Sequence, residues 1–191
     1  MVRKQGDTVR PSHYAFVFLV LLGVGLSGIR SVGGRVLETP RPAPAFTGVA
    51  AQDWINSGPL RLEDLRGEVV LVDFWTFDCW NCYRSFPWLK DLEARLGPKG
   101  LRVVGIHSPE FDHERRRENV VTKVREFGLH HPVMLDNGFE YWRAMGNRYW
   151  PTFYVIDKKA RIRGVFAGET HEGDRNAAGV EDLIRKLLAE P

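Results

Sequence analysis

Cys79 and Cys82 are the only two cysteines in this 191-residue chain, and they follow directly on the apolar run Val69–Trp75. That run, VVLVDFW, is continuous and rich in β-branched and aromatic side chains, as suits a strand buried on both faces. Residues 80–96 then show helical spacing, with Phe86, Leu89, Leu92 and Leu96 on one face and Gly97–Pro98 as a stop. The cysteines therefore fall where a central strand gives way to a helix. In a first helical turn their spacing allows a disulfide. Cys79 stands at the helix start, where free N–H groups and the positive end of the dipole favour its thiolate. It is the expected attacking thiol, and Cys82, one turn further in, is the expected resolving thiol.

Other readings of the pair exist. Two cysteines are half of a tetrahedral zinc site, but no second Cys or His pair has ligand spacing, and His130 and His131 are adjacent. No metal and no cofactor is expected. An inert structural disulfide is the third reading. With 43% hydrophobic and 27% charged residues, a chain of this size builds a core without staples.

The remaining pattern indicates an α/β fold. Leu101–His107 reads as a second strand, and residues 112–127, polar and charged up to Gly128, as an exposed helix. Val133–Leu135 reads as a short extended piece and Thr152–Ile156 as a strand directly after Pro151. Arg161–Ala167 alternates like an edge strand, and Val180–Leu188 forms an amphipathic closing helix. Leu60–Gly67 reads as a loop leading into the first strong strand. The order strand–helix–strand–helix, then two strands and a helix, implies parallel crossovers followed by an antiparallel hairpin. The result is a mixed central sheet with helices on both faces.

The N-terminus reads as an address. Residues 14–29 are apolar and uncharged, and Arg3, Lys4 and Arg10 precede them. This is the layout of a signal peptide or signal anchor over residues 1–34. Sixteen residues fall short of the ~20 that usually span a bilayer. Residues 35–45, RVLETPRPAPA, read as a Pro-rich linker, which places the globular domain at 46–191. Residues 1–34 hold four basic and one acidic side chain, which accounts for the whole net charge of +3. The body is neutral in sum and carries no basic patch, so no nucleic-acid partner is expected.

The segment DFWTFDCWNC resembles the active-site segment of the thioredoxin superfamily, and the resemblance runs over roughly residues 45–175. It implies a thioredoxin-like fold with an N-terminal extension and a central insert. Asp73, six positions before Cys79, matches the buried aspartate that relays a proton to and from the second cysteine. Its place in an apolar run fits this, because an unpaired buried carboxylate is costly. Pro87 matches the proline that kinks the active-site helix. Trp150–Pro151–Thr152 matches the segment whose cis-proline faces the disulfide. LEDLRGEVVLVDFW and the insert at His107–Phe111 are similar to the TlpA-like branch. WTFDCWNC, HSPEF and GETHEGD are similar to the thioredoxin-like domain of DipZ-type proteins.

Two departures qualify this. Ser85 stands where TlpA-like cytochrome c maturation proteins tend to carry a glutamate, and the chain lacks the multi-helix membrane domain usual in DipZ-type proteins. The expected substrate-binding residues are Trp80 and Asn81 between the cysteines, Trp150 and Thr152, and Glu110 on the loop after the second strand. Trp75, Trp80, Tyr149 and Trp150 are candidates for an apolar rim around Cys79, with core packing favoured for Trp75.

The leading expectation is an extracytoplasmic, membrane-anchored, monomeric reductase or isomerase of exported proteins. It would draw electrons from a membrane electron-transfer protein. A disulfide-forming oxidant is the alternative within the class, and Trp80–Asn81 does not place the pair on the potential scale. Thr76-x-x-Cys79 matches a peroxiredoxin fragment, although Val72 stands where those proteins have a proline. A redox-gated binding module or chaperone is the non-enzymatic reading.

Overall fold

The computed structural model describes residues 34–191, and residues 1–33, within the segment read as a signal peptide or signal anchor, lie outside the described residues. The seven strands are β1 (Arg35–Pro42), β2 (Trp54–Ile55), β3 (Val69–Trp75), β4 (Leu101–His107), β5 (Val133–Leu135), β6 (Thr152–Ile156) and β7 (Arg161–Ala167). They form one mixed sheet in the order β1-β7-β6-β3-β4-β5-β2. β3 pairs parallel with β4 and antiparallel with β6, which makes it the central strand and buries it along its whole length. Among the described residues the four α-helices are α1 (Trp80–Leu96), α2 (Arg117–Glu126), α3 (Glu140–Met145) and α4 (Arg175–Ala189).

Strand alternation sorts the core into two layers. Val69, Leu71 and Trp75 of β3 pack with Phe86, Leu89 and Leu92 of α1, with Val120 and Val124 of α2, and with Val180 and Ile184 of α4. Val70, Val72 and Phe74 face the opposite layer, where Phe46, Trp54, Leu62 and Leu65 meet Tyr141 and Met145 of α3. Asp73, in step with Leu71 and Trp75, belongs to the α1 layer.

Several elements differ from the sequence reading. Residues 35–42, read as linker, pair antiparallel with β7 as strand β1. Proline-spaced extended backbone suits an edge, where a missing N–H leaves no ladder bond unmade. β7 is therefore interior and not an edge strand. The charged stretch 112–127 splits into a 3-10 turn at Asp112–Arg115 and the helix α2. Leu62–Leu65 forms a 3-10 turn that buries both leucines. The closing helix starts five residues earlier than Val180, because the Asp174 carboxylate accepts the Ala177 N–H at 2.7 Å as an N-cap. β2, with two residues, and α3, with six, are too short to leave a periodic pattern in the sequence.

Candidate active site

The site forms at the end of β3. Cys79 is the N-cap of α1 and its sulfur accepts the Cys82 N–H at 3.2 Å. The two cysteines are joined as a disulfide, with Cα atoms 5.3 Å apart. Cys82 is fully buried while Cys79 keeps partial solvent contact, so Cys79 is the sulfur that an incoming group reaches. Pro87 sits within α1, two turns below Cys79. The Trp150–Pro151 peptide is cis.

An open groove of about 390 Å³ runs over the disulfide. It is lined by Asp78, Cys79, Trp80 and Asn81 from the start of α1, by Arg148, Tyr149 and Trp150 from the segment before Pro151, and by Glu110. Trp80 is 66% exposed and stacks on Tyr83, and Tyr149 is 54% exposed. Trp150 is held from behind by Trp142, with ring centroids 4.4 Å apart. One expected substrate-binding residue stands elsewhere, and Trp75 takes the core position favoured for it. Thr152 is buried, and its hydroxyl donates to the Tyr149 carbonyl at 2.8 Å, bracing the cis-proline segment from within. Trp75 lies fully in the core against Phe86 and His107 and contributes no rim.

Asp73 is 1% exposed, and its Oδ1 has no hydrogen-bond partner among the described residues. Burial alone pushes its carboxyl up to about 8. A group with that pKa exchanges a proton near neutral pH, on the layer that also holds Cys82.

Two supports of the site were not legible in the sequence. Ser85 is buried one turn past Cys82, where its hydroxyl donates to the Asn81 carbonyl at 2.9 Å and accepts the Thr170 N–H at 3.0 Å. It ties α1 to the loop after β7, where Arg84 also pairs with Glu169. Glu114, inside a run read as an exposed helix, is fully buried and accepts the Thr76 hydroxyl and the N–H groups of Asp78, Glu110 and Phe111. A carboxylate three residues after Phe111, returning to its N–H, is the one local signal that could have marked it. Among the described residues, no group of three His, Cys, Asp or Glu side chains is placed to hold a metal.

The Redoxin family model matches residues 40–184, from within β1 into α4. The chain belongs to the Redoxin family. Within it, the chain is a TlpA- and DipZ-like protein of thioredoxin-like fold. It is 37% identical over 161 residues to protein DipZ of Mycobacterium tuberculosis, a match covering 83% of this chain and 22% of that protein. The Redoxin chain thus spans about a fifth of DipZ. It is 29% identical over 155 residues to thiol-disulfide oxidoreductase YkuV of Bacillus subtilis, covering 81% of this chain and 99% of YkuV. The fold resembles the crystal structure of a secreted thiol-disulfide isomerase from Corynebacterium glutamicum. That match has TM-score 0.70 and 22% identity, covering 85% of this chain and 95% of the other.

Proposed function

We propose that this Redoxin-family chain is a thiol–disulfide oxidoreductase that works as a reductase of exported proteins outside the cytoplasm. One observation carries the reading: a partly exposed Cys79 at a helix N-terminus is joined to a buried Cys82, with the unpartnered carboxyl of Asp73 in the same layer. In the reduced protein, the Cys79 thiolate attacks one sulfur of a substrate disulfide, forms a mixed disulfide and releases the other substrate sulfur as a thiolate. Cys82 then hands its proton to the Asp73 carboxylate and attacks the Cys79 sulfur. The second substrate thiolate leaves, and the Cys79–Cys82 disulfide forms. Two electrons pass from the dithiol to the substrate, and protons from water complete the two substrate thiols.

Peptide substrates lie in the groove between Trp80–Asn81 and Arg148–Trp150, against Pro151, with Glu110 in its lining. The thiol–disulfide names of YkuV and of the secreted Corynebacterium protein support the chemistry. The charged-then-apolar residues 1–34 support export and anchoring to the membrane. The chain acts as a monomer, and a membrane electron-transfer protein returns it to the dithiol. The Thr76 hydroxyl is engaged by Glu114, which disfavours a peroxidase role for the Thr76-x-x-Cys79 fragment.

The test is trapping. Cys82→Ser should accumulate a mixed disulfide through Cys79 with a disulfide-bearing protein, and Cys79→Ser should give none. Adducts formed equally by Cys79→Ser would sink the assignment of the attacking thiol.

A further inference from the structure

Glu114 combines complete burial with a fully occupied carboxylate, directly beside the residue that precedes Cys79. One oxygen accepts the Thr76 hydroxyl and, at 3.0 Å, the Asp78 N–H. The other accepts the N–H groups of Glu110 at 2.6 Å and Phe111 at 2.7 Å. All four donors are neutral. Burial by itself would raise its pKa, but these hydrogen bonds outweigh burial and hold it below the usual glutamate range, so the side chain is ionised at neutral pH.

No cation reaches it among the described residues. His107, on β4 beneath Thr76, lies 3.4 Å from the Thr76 hydroxyl, and burial pushes its pKa down to about 4, so the ring is neutral. His113 turns outward and pairs with the Asp78 carboxylate at 2.6 Å. Arg115, next in the chain, reaches the Asn137 carbonyl and Asp112. Asp73 carries no positive charge in either of its forms.

The buried Glu114 carboxylate is held by the N–H of Asp78, the residue next to Cys79. Opposite charges near a thiol stabilise its thiolate, and like charges oppose it. A couple whose thiolate is stabilised in the reduced form is an oxidant, and one whose thiolate is opposed is correspondingly more reducing. Glu114 therefore works against the helix dipole at Cys79. The same four hydrogen bonds fix segment 76–78 to segment 110–111, the two stretches of backbone that border the groove beside Cys79.

We propose that Glu114 is a positioning residue that sets the redox potential of the Cys79–Cys82 pair, anchoring both bordering segments and opposing the Cys79 thiolate with its charge. The inference rests on thiol–disulfide exchange at these cysteines. It concerns the difference between the wild type and its variants, so it stands or falls apart from the direction in which the wild type works.

The experiment is the equilibrium of the Cys79–Cys82 pair with glutathione, read beside the Cys79 thiol pKa from thiolate absorbance and the melting temperature. The proteins are the wild type, Glu114→Gln and Thr76→Val. Glu114→Gln keeps the size and removes the charge, whereas Thr76→Val removes one neutral donor and keeps the charge. Glu114→Gln should shift the equilibrium about tenfold toward the dithiol, which is about 30 mV for a two-electron couple, and should lower the Cys79 pKa. Thr76→Val should lower the melting temperature and leave the equilibrium within about twofold. If Glu114→Gln does not fold, the double variant Thr76→Val with Glu114→Met, which removes the charge together with the one side-chain donor, carries the same tenfold expectation. Equal shifts in Glu114→Gln and Thr76→Val would overturn the proposal. So would a charge-free variant that melts earlier with its potential unchanged.

Discussion

Asp73 on β3 stands opposite Gly105 on β4 in the parallel ladder, the one position of β4 without a side chain. A Cβ at Gly105 would lie 2.9 Å from Trp75 Nε1, 3.2 Å from Val133 Cγ2 and 3.3 Å from His131 Nε2. The glycine is a fitting requirement of the layer beneath the disulfide. Gly105→Ala should lower stability by about 1–3 kcal/mol in denaturant unfolding, the usual cost of overpacking a core. An unchanged midpoint would mean that the Trp75 indole moves aside freely.

The Asp73 carboxyl supplies a pH signature. Its folded-state pKa of about 8 lies far above the ordinary aspartate value. Between roughly pH 4 and pH 8 the folded protein keeps the proton that the unfolded chain has lost, so this group lowers stability as pH rises. Above pH 8 the full penalty is present. Asp73→Asn should therefore stabilise the oxidised protein little at pH 4.5 and by up to about 5 kcal/mol at pH 8 and above. Denaturant unfolding across pH checks this, and a stability gain that does not grow with pH would contradict it. In the proposed mechanism the same variant should slow the resolving step, because Cys82 would lose its proton acceptor.

Ser85→Ala should cost about 1–3 kcal/mol, because it leaves the Thr170 N–H buried without a partner. Hydrogen exchange at Thr170 should become faster, and the effect should be confined to the junction of α1 with the loop after β7. Wild-type protection at Thr170 in the variant would show that the hydroxyl is dispensable.

In the proposed function the groove separates binding from chemistry. Trp80 is exposed beside Cys79 and stacks only on Tyr83. Trp80→Ala should raise KM for a protein disulfide several-fold, within the ~1–2 kcal/mol expected of an interface aromatic, with little change toward a small disulfide reagent. An equal loss on both substrates would place Trp80 in the chemistry and not in substrate capture.

Continuous apolar runs made β3, β4 and β6 legible to the residue, because a strand buried on both faces has few ways to vary. Asp73 stood out for the same reason, as the single charge inside VVLVDFW. Elements held by a few backbone bonds left no such pattern. β1 is a Pro-spaced edge, β2 has two residues and α3 has six. Glu114 was hidden for a different reason. Its neighbours Asp112, His113 and Arg115 are exposed, and only a 3-10 turn rotates this one carboxylate inward onto four donors. Ser85 was marked only as a departure from a family pattern, and its partner Thr170 lies 85 residues away. The match of Trp150–Pro151–Thr152 to a family segment puts Thr152 among the substrate-binding candidates, yet its hydroxyl is committed to the Tyr149 carbonyl.

The most direct test of the reductase reading is the equilibrium reduction potential of the wild-type Cys79–Cys82 pair at pH 7. A value near or below about −250 mV is the result expected of a reductase on this fold. A value above about −150 mV would contradict the proposed direction and assign the pair to disulfide formation.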